Sequence, residues 1–325
     1  MSKPLLPSEK EVLIWQDKSE KAVLKALQKH YQEALKNVEQ RIAEMLGRGD
    51  ADLPHVIRRV EYQKFIKAQI TAALEPLHAK EYETISEYLS ASYTDAFVGS
   101  VYTLHAQDVP VILPINQTAA IKAVTIDSKL KSDLYTELGL DVAKLKKTIA
   151  AEITRGIASG RLYSEITRNI ANAGNIPLDR ARTIVRTDGG RVQEQATFDA
   201  QKAAKAKGAD VVSQWSAIRD GKTRKSHRQL DGQIREVGEY FETVDGHKAK
   251  YPHGFGIAKE DINCRCTLLT RARAAMDHDE LKRLREIAVR HSLYEVDPKA
   301  FRAEKLPALK NFSEFKKAYL KAIEK

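Results

Sequence analysis

The chain uses cysteine twice in 325 residues, and both thiols fall within Asn263-Cys264-Arg265-Cys266. Alternate side chains of an extended segment share a face, so a Cys-x-Cys pair can present two sulfurs to one soft ion. Upstream, His227 adds an imidazole, and Asp220, His247 and His253 stand near enough in sequence to complete a set of four. Zinc in a closed structural site takes four such ligands, whereas an open site keeps a water in the fourth position. The doubled Cys-x2-Cys spacing of the stronger zinc pattern is absent, so other readings stay open: two reduced thiols at a strand end, or a strained bridge between them. A Cys-His dyad is a further formal reading, because such partners meet in space rather than in sequence.

Between Asp220 and Arg228 the chain is crowded with cations, Lys222, Arg224, Lys225 and Arg228. Their charge and donors suit phosphate or carboxylate, and the plain alternative is a solvated turn. The loop lacks the Gly-x4-Gly-Lys-Ser/Thr pattern of a phosphate cradle, and no Gly-x-Ser-x-Gly, His-Glu-x-x-His or kinase set occurs anywhere. Glu239 and Glu242, flanking Tyr240-Phe241, form the one carboxylate pair near these residues that invites an enzymatic reading; so short a spacing more often marks a surface segment. Net charge is +10 and the pI about 9.3. Such a field favours a polyanionic partner: nucleic acid, an anionic membrane face or an acidic protein surface.

The elements that must position these residues are mostly helical. Val23, Leu27, Tyr31, Ala34, Val38 and Ile42 recur at threes and fours, which predicts an amphipathic helix over 18–46 stopped by Gly47 and Gly49. A second helix is expected after Asp52, kinked or broken at Pro76, and a third through Tyr82 to Phe97. Residues 106–117 hold two prolines among β-branched residues and mark a boundary. Helices are expected again over 117–124, 128–157, 162–171 and 179–207, the last closed by Gly208. Beyond it the period changes: 211–218, 233–237 and 267–270 read as short strands, and Asp231-Gly232 and Asp245-Gly246 as turns. Trp215 is expected to anchor the core beneath the first strand. The remainder, about 279–325, reads as two basic helices separated by Pro298 and Pro307, carrying Lys316 and Lys317.

The fold expected is therefore mainly α with a small antiparallel α+β module, divided into a helical region 1–117, a module region 118–272 with its core at 181–271, and a basic helical tail 273–325. With 42% hydrophobic against 30% charged residues the chain has ordinary globular composition. No signal-peptide or bilayer-length apolar run appears, so a cytoplasmic start with reduced thiols and no membrane partner is expected.

Taken in order, Ala181 to Asp188, Trp215, Asp220, Arg224, His227, Leu230-Asp231-Gly232, Pro252 and Ile262-Asn263-Cys264-Arg265-Cys266 resemble the phage head morphogenesis family typified by the phage Mu F-like minor head proteins. The resemblance covers roughly residues 140–271. It implies a minor capsid component of a tailed double-stranded DNA phage or prophage, present in few copies, partnered by portal and capsid or scaffold proteins. The protein would contact packaged DNA without sequence preference and lie inside the virion near the portal vertex. It also implies metal chelation by His227, Cys264 and Cys266 with Asp220 alongside, structural zinc being the cofactor, His253 an alternative fourth ligand, and Trp215, Asp231, Gly232 and Asn263 framework residues. Related phage proteins can carry ADP-ribosyltransferase-like domains, which is the enzymatic alternative.

Overall fold

A computed structural model describes residues 5–46, 60–125, 134–159, 161, 163–276 and 311–324. Two compact units emerge. The first comprises Met1–Glu20, Tyr88–Leu130 and Arg186–Lys325, the second Lys21–Glu87 and Lys131–Val185. The expected segments 1–117, 118–272 and 273–325 do not map one to one onto them, because α1 (Pro7–Leu46), α2 (Val60–His105) and a later long helix each contribute to both units.

The second unit is helical, as its patterning predicts. It holds most of α1, the N-terminal part of α2, α4 (Leu134–Ala158), α5 (Tyr163–Ala173) and the start of α6 (Asn175–Ala206). Leu27, Tyr31, Val38 and Ile42 of α1 are buried, as are Ile66, Ile70, Leu74 and Ile85 of α2. Of the kink or break expected at Pro76, the break does not occur: α2 runs through it. An internal proline costs a helix about 3 kcal/mol, and the buried Leu74 and Leu77 on either side show the packing that offsets this. Pro177 sits in the first turn of α6, where its missing N–H is no loss.

One group in this unit is buried against its charge. Glu81 is fully enclosed, facing Tyr31 and Asp141, while Arg180 pairs with Asp141 at 2.8 Å. Burial is the dominant influence and pushes the Glu81 carboxyl up to about 8 from 4.5, with Asp141 adding to the rise and Tyr31 opposing it. A carboxyl raised in the folded state gives stability that is complete below the unfolded value and is lost as pH rises to the folded one. The unit is thus expected to lose stability between pH 4.5 and about 8. Glu81→Gln should flatten that slope and stabilise the chain at pH 7 by on the order of 3 kcal/mol. Thermal melts at pH 5 and pH 8 check it, the variant differing from wild type chiefly at the higher pH.

The first unit holds α3 (Gln117–Thr125) and the expected α+β module. A three-stranded antiparallel sheet has order β2-β1-β5, from β1 (Val211–Ser216), β2 (Ile234–Glu236) and β5 (Thr267–Ala272). The β1 to β5 register sets Trp215 opposite Leu268 and Ser213 opposite Thr270. Between them lie α7 (Lys225–Leu230), the two-residue hairpin β3 (Phe241–Glu242) and β4 (Lys248–Ala249), and α8 (Ala258–Asp261). Turns at Gly232 and Gly246 adopt φ of 78° and 80°, as the Asp-Gly dipeptides predict. Asp231 also works through its side chain, accepting the N–H of Ala217 and the guanidinium of Arg219.

The C-terminal helix α9 (Phe312–Ile323) packs within this unit through Phe312, Phe315 and Tyr319. Phe312 meets Trp15 and Tyr102, and the Tyr319 hydroxyl donates to the Leu113 carbonyl at 2.5 Å. The other helix expected in the tail lies outside the described residues, as does the start of the helix expected after Asp52. Among the described residues no helix is long and apolar enough to cross a membrane.

Candidate metal centre

Two elements of the module converge on one point. Helix α7 presents His227, and the turn between α8 and β5 presents Cys264 and Cys266, all three side chains being buried. The Nδ1 atom of His227 lies 3.4 Å from each sulfur. One donor atom from each residue falls within 4.8 Å of the others. Asn263 makes the turn possible by adopting the left-handed conformation, φ 53°, which asparagine tolerates better than most residues. Its N–H donates to Thr187 of α6 at 3.2 Å. The guanidinium of Arg224 holds the same turn by donating to the Ile262 carbonyl at 2.6 Å.

The centre is walled by rings. Trp215 is completely buried, 5.8 Å from the His227 ring, 5.2 Å from Phe241 and 5.8 Å from Phe255, and Phe255 stacks on His227 at 5.6 Å. Trp215 also packs in one buried cluster with Cys264 and Cys266. From α6, the buried Glu194 carboxylate accepts the N–H of Leu268 at 2.5 Å and so ties β5 to that helix.

Glu260 of α8 is the residue that sequence reasoning missed. Its enclosed carboxylate meets His227 Nε2 at 3.0 Å, Ser226 Oγ at 3.2 Å and His247 Nδ1 at 2.9 Å. Nothing in the sequence separates it from a surface glutamate of a short polar turn.

These contacts decide the protonation of the pair of thiols. A hydrogen bond from Cys266 pulls the Cys264 thiol well below its usual range against the effect of burial, with His253 and His227 assisting. The Cys266 thiol moves up, through its bond to Cys264, burial and the neighbouring charge. Burial opposes charge on His227, but Cys264 and Glu260 outweigh it and raise its pKa. The pair thus favours a thiolate on Cys264 beside an imidazole nitrogen. This donor set fits a soft divalent ion, which would be held by both sulfurs and Nδ1.

The remaining sequence candidates take other places. Asp220 is not within the group of three: its exposed carboxylate receives both guanidinium nitrogens of Arg265, at 2.6 and 2.7 Å, and the N–H groups of Lys222 and Thr223. The Arg265 bonds come first in holding Asp220 far below the usual carboxylate range. His253 is buried near the centre with φ 61°, and is likewise outside the group. A Cβ on Gly190 would come within 2.5 Å of its Nε2, so only glycine fits on that turn of α6. His247 meets the centre through Glu260 rather than through the sulfurs.

Of the cations in the loop, Lys222, Lys225 and Arg228 are exposed, while Arg224 is engaged with the Ile262 turn. In α9, Lys317 is exposed, but Lys316 pairs with Asp95 and lies over the Trp15 ring. The carboxylates of Glu239 and Glu242 do not form a site: Glu239 accepts the Glu236 N–H and Glu242 pairs with Lys248 across the hairpin.

Comparison with known proteins places this module. The chain is 36% identical over 126 residues to the minor head protein GP7 of Bacillus phage SPP1, covering 39% of this chain and 41% of that one. It is 32% identical over 218 residues to the NAD(+)--arginine ADP-ribosyltransferase EFV of Enterococcus faecalis (strain ATCC 700802 / V583), covering 65% of this chain and 44% of that one. The chain thus spans about two fifths of the length of these curated relatives. No solved structure matches it. Residues 147–269, which include α6, β1, β2, the start of β5 and the three converging side chains, match the family described as Phage Mu protein F like protein.

Proposed function

We propose that the chain is a minor head protein of a tailed double-stranded DNA phage or prophage, a structural and interaction component that docks at the portal inside the procapsid and contacts packaged DNA without sequence preference. The observation that carries this reading is the family match over 147–269 together with a relative named as a minor head protein. Net charge of +10 and the exposed Lys222, Lys225, Arg228 and Lys317 suit a phosphate-coated partner or an acidic portal face. In the same reading a structural zinc, held by His227, Cys264 and Cys266, clamps α7 to the turn before β5. Closing such a site contributes folding free energy, because it scarcely exists in the unfolded chain.

The activity in the second relative's name belongs to a protein of which this chain spans 44%. Here the engagement of Glu239 and Glu242 in backbone and cross-hairpin contacts favours docking over transfer chemistry. Mass spectrometry of purified heads tests the function, and the protein is expected there in few copies per particle; its absence overturns the reading. Duplex DNA binding should weaken steeply from 50 to 200 mM salt, since each phosphate contact releases counterions. Binding that ignores salt contradicts the DNA contact. Transfer of label from NAD to host proteins would instead support the enzyme.

A further inference from the structure

We infer that Glu260 is the positioning residue of the metal centre: its carboxylate fixes the tautomer and orientation of His227 so that Nδ1 faces the two sulfurs, and it joins that buried ring to His247 at the edge of the module. The inference rests on the zinc reading above for its effect on affinity, and on geometry alone for its effect on the ring.

A carboxylate accepts and does not donate, so the 3.0 Å contact with His227 Nε2 requires the proton on that nitrogen. In the neutral ring Nδ1 is then left as a lone pair, 3.4 Å from each sulfur. The opposite tautomer would set a lone pair against the carboxylate and a proton against the space a metal would fill. Ligating histidines characteristically donate their second ring N–H to a carboxylate, which orients the ring and raises its basicity. The arrangement is specific. The Glu260 side chain is fully enclosed, and a buried carboxylate without partners would be costly. Ser226 Oγ and His227 Nε2 meet Oε2, and His247 Nδ1 meets Oε1, so both oxygens are occupied. His247, half-buried on the segment between β3 and β4, is thereby held in the same network, and the hairpin, α7 and α8 share one anchor.

The test uses the full chain, 15N-labelled at histidine, and the variant Glu260→Gln. Ring nitrogen shifts of His227 in metal-free wild type, followed to a pH at which the ring is neutral, should report Nε2 protonated and Nδ1 bare. Finding Nε2 bare and the proton on Nδ1 alone overturns the inference, whether or not the variant folds. Zinc affinity, read by competition with a chromophoric chelator, should fall about 10 to 100-fold in Glu260→Gln at unchanged stoichiometry. The cobalt absorption bands should change with it. Equal zinc affinity and an identical cobalt spectrum overturn the positioning role. A wild type that binds neither metal refutes the zinc reading, and the ring tautomer then decides the inference by itself.

Discussion

Trp215→Ala is expected to abolish cooperative folding of the module. The indole is completely buried against the rings of His227, Phe241 and Phe255 and shares one core cluster with Cys264 and Cys266. Truncating a tryptophan in such a setting costs about 3 to 5 kcal/mol, through lost apolar transfer and the cavity left behind. That is comparable with the lower part of the whole stability of a typical domain, about 5 to 15 kcal/mol. Hydrogen exchange should therefore lose protection across 211–272 in the variant, and the urea midpoint should fall. Ile218→Ala, at a position 49% exposed, serves as the control and should shift the midpoint by less than about 0.5 kcal/mol. Equal effects at the two positions would show that Trp215 is not the anchor of this core.

The second large effect is expected at Arg271, in β5. Its guanidinium donates to Glu9 at 2.5 Å and to Gln214 at 2.8 Å, and both members of the ion pair are buried. Burial raises the Glu9 carboxyl above its usual value, and Arg271 and the Leu6 N–H oppose that rise. Removing the cation leaves a buried carboxyl without its partner, which costs about 3 to 5 kcal/mol. Arg271→Met is expected to lower stability by that amount. The double variant Arg271→Met, Glu9→Leu should recover most of the loss, since replacing a whole buried pair by apolar residues is often close to neutral. A double-mutant cycle by chemical denaturation measures the coupling. If the double variant is as unstable as the sum of the singles, the two residues do not act as a pair.

The periodicity of α1, α4, α5 and α6 was legible because each buries one stripe, and the Gly208 stop, the Asp-Gly turns and the three strands of the sheet were legible from local chemistry. Pro76 misled because local propensity is weak against tertiary packing, here that of Leu74 and Leu77. The β3 and β4 hairpin has two-residue strands, too short to carry an alternation. The spacing of Phe312, Phe315 and Tyr319 marks a packed face, yet the basic residues between them drew attention to partners instead. At the site, His227, Cys264 and Cys266 were legible because rare residue types converge in a recognisable order. Asp220 was placed beside them by sequence proximity, whereas its carboxylate is committed to Arg265 across the turn. Glu260 could not be read at all, because its role comes from burial and from the directions of two histidine rings.

In the proposed reading the module is closed by a metal at His227, Cys264 and Cys266. Native mass spectrometry of the full chain, purified without chelators, tests it most directly. One zinc per chain is expected in the wild type, none in Cys264→Ser, and a lower melting temperature for that variant. A metal-free wild type that melts at the same temperature as Cys264→Ser contradicts it.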